Sequence, residues 1–210
     1  MGIFGFATDK YSIVPHGIKE RTLENLKVLK VPIIQTSMAN SVLIGVMAVG
    51  NSSTLFVPYT ITEKELIYLK EIKNELGIEI VEVQSKLTAL GNLMLINDKG
   101  ALISDKFEKK AQSQIIDVLP FNVEVGAILG SPLVGTMAMA TNKGVLIHPM
   151  VPEEEKSELE SVLHVKSDVC TVNKGVPYPR IGIIANSKGA IVGNETTGPE
   201  MMRIFEVLFT

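Results

Sequence analysis

The chain has 210 residues, 46% of them hydrophobic, and a formal net charge of −3. This is ample material for a buried core, and it excludes both a disordered chain and a general basic field that would meet nucleic acid with a whole surface. A lone Cys170 excludes an internal disulfide framework and suits a reducing compartment, while the longest apolar stretch, 42–49, is far short of the about 20 residues a bilayer crossing requires.

The start, Met1 to Ala7, is apolar but has no basic flank and runs directly into Asp9, so no signal peptide is expected. Gly2 invites a myristoylation reading, but Phe6 stands where Ser or Thr is wanted. These features place the protein in the cytoplasm. The first polar turn, Thr8-Asp9-Lys10-Tyr11, leads into the apolar pair Ile13-Val14. A second, Asn51-Ser52-Ser53-Thr54, precedes Leu55-Phe56-Val57. Thr62 with Glu65 then opens a helix whose Leu66, Leu69, Ile72 and Leu76 face inward and which Gly77 ends.

The clearest unit follows. Gly91 to Ile96 is apolar nearly throughout and reads as a strand covered on both faces, and Asn97-Asp98-Lys99-Gly100 turns the chain into a second strand, Ala101-Leu102-Ile103. Asp105 with Glu108 predicts a helix start, Phe107, Ala111, Ile115 and Leu119 give that helix one apolar stripe, and Asn122 to Val125 alternates as a third strand. Thr141-Asn142-Lys143-Gly144 and Val145-Leu146-Ile147 begin the next unit, with Glu153, Glu154 and Glu155 crowding its helix start. Asn186-Ser187-Lys188-Gly189 and Ile191-Val192 begin the last, whose helix opens at Thr197 and Glu200. The acidic groups admit a carboxylate-pair or metal reading, but helix capping explains them all.

The last residues of the turns fall at 11, 54, 100, 144 and 189, giving spacings of 43, 46, 44 and 45. A fixed period of this size marks a repeat architecture in which no unit buries its own apolar face, and five near-equal units predict a small closed ring. The repeats run about 1–40, 41–86, 87–130, 131–175 and 176–210, in a single α/β domain without linkers. A hydrophobic residue followed by glycine begins most units, at Ile44-Gly45, Leu90-Gly91, Val134-Gly135 and Ile181-Gly182, with Met1-Gly2 in the same register. Glycine at matched strand positions predicts close backbone approach around the axis.

The stretches Thr88-Ala89-Leu90-Gly91-Asn92, Thr171-Val172-Asn173-Lys174-Gly175, Ala185-Asn186-Ser187-Lys188-Gly189 and Thr196-Thr197-Gly198-Pro199-Glu200, with the fivefold repeat, resemble the translation initiation factor 6 family of archaea. The resemblance covers essentially the whole chain. It implies the pentein fold, a five-bladed, pseudo-symmetric α/β propeller of ββαβ-type units around a pore with helices outside. It also implies a monomeric, non-catalytic factor without cofactor. Such a factor binds the large ribosomal subunit near ribosomal proteins uL14 and eL24 and the sarcin-ricin loop, blocks joining of the small subunit, and accompanies large-subunit maturation. Family members usually carry an extra initial strand that completes the fifth blade. Here the third strand of that blade has no visible source, so either the true start lies upstream or an open edge is left to pair with another chain. The long C-terminal tail of eukaryotic members has no counterpart, so tail-based regulation is not carried over.

Four turns carry Lys at one position, Lys10, Lys99, Lys143 and Lys188, with Ser53 in the other. A rim of lysines suits phosphates of an rRNA stem, although Lys is common in exposed turns and a repeat copies it. Asn173, Lys174 and Gly175, together with Asn92 and Ala89 in the family pattern, form either the partner surface or the blade junctions. Gly130 and Ser131 read as structural. The rival reading is a guanidine-modifying pentein hydrolase or transferase using Cys170 and His148. Cys170 lies in the alternating segment Val169-Cys170-Thr171-Val172 and reads as a buried strand residue, and His148, His164 and His16 stand at loops or a helix end. A third reading is a structural homo-oligomer built through the unfinished fifth blade. No Cys/His spacing suggests a metal site and no Gly-rich loop suggests a nucleotide site.

Overall fold

The computed structural model describes residues 1–210. The first unit comprises β1 (Phe6–Ala7), β2 (Ser12–Pro15), α1 (Glu20–Leu26) with a 3-10 turn over Lys27–Leu29, and β3 (Ile33–Thr36). The second comprises α2 (Ile44–Met47), β4 (Val49–Gly50), β5 (Thr54–Pro58), α3 (Glu63–Leu76) and β6 (Glu79–Val83). The third repeats this order in α4 (Leu90–Leu93), β7 (Met94–Ile96), β8 (Ala101–Ser104), α5 (Lys109–Val118) and β9 (Val123–Gly126). The fourth has α6 (Val134–Met137), β10 (Ala138–Ala140), β11 (Gly144–Ile147), α7 (Glu153–Leu163) and β12 (Lys166–Val169). The fifth has α8 (Pro179–Gly182), β13 (Ile183–Asn186), β14 (Gly189–Val192) and α9 (Gly198–Phe209).

In the first four units the polar turn folds an antiparallel hairpin, and the long helix returns the chain so that the third strand lies parallel to the second. In unit three, Leu95 faces Leu102 across the antiparallel pair and Leu102 faces Glu124 across the parallel one. A parallel partner needs such a crossover, which is why each unit carries its helix between strands two and three. Two local expectations are corrected. The segment from Gly91 does not enter a strand at once, because Leu90–Leu93 form a helical turn before β7. Helix α5 starts at Lys109 with Glu108 as its N-cap rather than at Asp105, since the Glu108 carboxylate turns away to the preceding junction, taking Ser85 Oγ at 2.6 Å and Lys86 N at 3.2 Å. The expected stripe holds: Phe107, Ala111, Ile115 and Leu119 are all buried.

The core explains why the units cannot stand alone. It divides into five apolar clusters, each straddling the junction of two neighbouring units. Val49, Phe56 and Val81 of unit two pack with Leu90, Ile103 and Ile115 of unit three. The last cluster joins Val14, Leu26 and Leu29 of unit one to Ile184 and Ile191 of unit five. A cluster between first and last units exists only in a closed ring. The backbone closes the same seam, with Gly2 N donating to Ile181 O at 3.1 Å and Asn186 Nδ2 to Thr8 O at 2.9 Å.

The fifth sheet has two strands, so the outer edge of β14 has no strand partner, as the sequence leads one to expect. Beside that edge Phe205 and Met201 of α9 are exposed, and with Val28, Ala190 and Val192 they line a shallow apolar groove.

Candidate functional site

The hairpin turns form one end of the ring axis. Asn51, Asn97 and Asn186 each direct Oδ1 back onto two amides of their own turn, which is the local reason the turns begin with Asn. Their Nδ2 groups reach the next unit: Asn51 to Asn97 O at 3.3 Å, Asn97 to Thr141 O at 3.1 Å. The second turn residues link around the axis. Ser52 N donates to Asp98 Oδ1 at 2.6 Å, Asp98 N to Asn142 Oδ1 at 2.8 Å, and Asn142 Nδ2 to Asp9 Oδ2 at 2.7 Å. The polar space they enclose is about 20 Å³, room for about one water and no substrate.

The lysines occupy the third turn position, as the repeat requires, but three of them clasp neighbouring backbone. Lys10 Nζ donates to Gly77 O at 3.0 Å, Lys188 Nζ to Asp9 O at 2.8 Å, and Lys99 Nζ to Asn142 O at 3.0 Å and His164 O at 3.4 Å. Gly77 and His164 are the C-caps of α3 and α7, where a cation suits the carbonyl end of a helix. Lys143 Nζ makes no such bond.

Short inner helices form the opposite end. A Cβ on Gly45 would lie 1.9 Å from Gly2 O, one on Gly91 2.0 Å from Gly45 O, and one on Gly135 2.2 Å from Gly91 O. A Cβ on Gly2 would lie 1.8 Å from Arg180 O. Five equivalent backbones therefore meet at the axis, and this corrects the expected register in unit five: Arg180, not Gly182, takes the ring position. Asn92 stands beside Gly91 in this inner ring. It is separated from the turn of Lys99 by the length of β7, roughly 10 Å at about 3.3 Å per residue. The fold thus places Asn92 and the lysine rim at opposite ends of the hairpin rather than together.

Asn173 and Lys174 lie elsewhere again, in the turn joining units four and five. Asn173, Lys174 and Gly175 all have positive φ, of 49°, 63° and 97°. Two such non-glycine residues in succession are costly, and Glu200 offsets the cost. Its carboxylate caps α9 through Thr197 N at 2.7 Å and also accepts Gly175 N at 2.9 Å and Thr171 Oγ1 at 2.8 Å. Burial pushes this carboxyl up, but the bonds from Thr197, Gly175 and Thr171 outweigh burial and hold it at about 2. Glu65 repeats the device, accepting Ala39 N and Asn40 N at 3.0 Å while closing the capping box of α3. The Lys174 ammonium pairs with Glu195 in solvent, and Asn173 Oδ1 accepts from Thr196 Oγ1 at 3.4 Å.

Cys170 is 4% exposed, and its Sγ donates to Thr171 O at 3.1 Å. Burial, aided by the nearby Glu200 charge, pushes the thiol up to about 11, the opposite of an activated nucleophile. His148 Nδ1 accepts from Met150 N at 3.1 Å, and its ring is tilted against Tyr178.

Two groups escaped sequence reasoning. The double role of Glu65 and Glu200 was half visible, as capping boxes, whereas their reach to the junction turns is tertiary. Arg180 was hidden because Ile181-Gly182 imitates the repeated hydrophobic-glycine pair; the shorter gap of seven residues to the turn's end was the available signal.

The eIF-6 family model matches residues 1–207. Translation initiation factor 6 of Pyrococcus horikoshii is 43% identical over 99% of this chain and 93% of its own length. The same factor of Pyrococcus abyssi is 44% identical, and that of Methanococcus vannielii 39%, over equal shares. Among solved structures, a mutant DDAH of Pseudomonas aeruginosa complexed with citrulline superposes with a TM-score of 0.59 at 14% identity, over 89% of this chain and 74% of that one. At that identity the likeness establishes the fold, the pentein, and nothing of its chemistry.

Proposed function

Since this chain belongs to the eIF-6 family of translation initiation factors, we propose that it binds the large ribosomal subunit and sterically keeps the small subunit from joining it. The observation that carries this reading is the match of the whole ring, residues 1–207, to that family. The resemblance further implies a seat on the intersubunit face, near ribosomal proteins uL14 and eL24 and the sarcin-ricin loop, and a part in large-subunit maturation.

Physical features of the ring support an occupying role. Blocking needs a stiff body and affinity, with no bond made or broken. The five junction cores and the circuit of turn hydrogen bonds supply stiffness, and a buried thiol held up at about 11 does not favour the rival nucleophilic reading. The contact residues we propose are Lys10, Lys99, Lys143 and Lys188 on the turn rim, Asn92 at the inner ring, and Asn173 and Lys174 at the junction. Of the four rim lysines, Lys143 alone has an ammonium free of backbone carbonyls.

Sucrose-gradient cosedimentation with purified large subunits tests the reading. The protein is expected to travel with the large subunit and to lower the yield of joined ribosomes when small subunits are added. Protein remaining at the top of the gradient, or attachment without effect on joining, would refute it.

A further inference from the structure

Four of the five inner-ring positions are glycine, and the fifth holds an arginine. The order around the axis is Arg180, Gly2, Gly45, Gly91, Gly135, set by which carbonyl each missing Cβ would strike. Arg180 Nη2 donates to Gly45 O at 3.5 Å. Gly45 is not the neighbour of Arg180 in that order but lies beyond Gly2, so the side chain extends over the axial opening that the glycines leave.

A guanidinium offers five N–H donors. Here the single bond to Gly45 O is at the outer limit of hydrogen bonding. Nε is shut off from solvent with no acceptor, and no ion pair of the protein includes Arg180. On α6, the adjacent inner helix, Thr136 Oγ1 is likewise buried without a partner. Burial lowers the guanidinium only to about 10, so it stays charged at neutral pH. The residue as a whole is half-buried, but a guanidinium nitrogen shut off from solvent without an acceptor is costly, since buried polar groups are otherwise almost always partnered. What matches unused donors on a planar fork is an oxyanion held by two parallel N–H···O bonds.

We propose that Arg180 forms, at the inner-helix end of the ring axis, a binding site for one small oxyanion of the phosphate class. The Thr136 hydroxyl, on the neighbouring inner helix, is likewise without a partner, but the site rests on Arg180 alone. The site is separate from the turn rim and does not depend on the ribosomal role.

The test is thermal unfolding of the full chain in inorganic phosphate against chloride at matched pH and ionic strength, for the parent, R180G and R180Q. R180G restores the residue found at the four sibling positions, and R180Q keeps length without charge should the glycine variant fail to fold. At about ten times its half-saturating concentration, phosphate is expected to raise the parent's midpoint by roughly 3 °C or more beyond chloride, and to leave the folded variants unmoved. An equal rise in parent and variants overturns the proposal, as does no phosphate-specific rise in the parent. It also fails if a short RNA duplex, but not inorganic phosphate, gives an Arg180-dependent rise, since the residue would then be a nucleic-acid contact.

Discussion

Replacing Gly91 by alanine tests the closed ring at one of its crowded axial positions. The added Cβ would sit 2.0 Å from Gly45 O and 2.9 Å from Ala48 O, backbone atoms of α2 and of its C-cap. Ordinary carbon–oxygen contact needs about 3.2 Å, so α2 must withdraw by more than about 1 Å. It has no room to do so, because Gly45 already faces Gly2 O, where its own Cβ would lie at 1.9 Å, and the displacement passes on around the ring. A single overpacked site costs about 1–3 kcal/mol; a backbone clash that a closed circle cannot relieve locally belongs above that, at about 3–5 kcal/mol. Against a total of about 5–15 kcal/mol this is a large loss. Gly126→Ala is the control. Gly126 lies in β9 without a positive φ, and its Cβ would touch only Leu102 Cδ1 at 3.4 Å. Less freedom in the unfolded chain should then stabilise by about 0.4–1 kcal/mol. Equilibrium unfolding in guanidinium chloride should shift the two midpoints in opposite directions with unchanged slopes. A G91A protein within about 1 kcal/mol of the parent would refute axial crowding and the ring geometry that requires it.

Two further outcomes are expected. Replacing Lys10, Lys99, Lys143 and Lys188 together by alanine should flatten the salt dependence of large-subunit binding by up to about 0.9 in log–log slope per lost phosphate contact; K143A, which disturbs no bond within the ring, removes at most one such contact, and an unchanged slope in the quadruple variant dismisses the rim as an RNA surface. Glu200→Gln should destabilise the protein at pH 7: a carboxyl at about 2 when folded and about 4.3 when unfolded contributes stability that is full above pH 4.3 and lost as pH falls through 2. Linkage alone sets a ceiling of about 3 kcal/mol, which solvent near the α9 start reduces to about 1–2 kcal/mol. Stability curves of E200Q and parent should converge toward pH 2, and a constant gap across acid pH would contradict the linkage.

Local signals in the chain determined the number of units, the turn positions and, α5 excepted, the helix starts. A tight turn needs Asn or Thr to hold its own amides, as Asn97 does for Lys99 and Gly100, and a helix start needs a cap, as Thr62 and Glu65 provide. These requirements act over three or four residues, so they are written in adjacent letters. The repeat period then implied a ring, because each unit exposes an apolar face that only a neighbour covers.

What tertiary structure alone decided involves groups far apart in the chain. Register at the axis depends on which carbonyl each backbone meets, so Arg180 entered the ring while Gly182, which looked the part, did not. The lysines of the rim were legible as a row, but not their grip on Gly77 O, Asn142 O and Asp9 O, which belong to other units. Asn92 and Lys99, seven residues apart, stand at opposite ends of one short strand. A sequence repeat fixes what each unit is; only closure fixes what it faces, because the partner of every junction residue is supplied by the next unit around the circle.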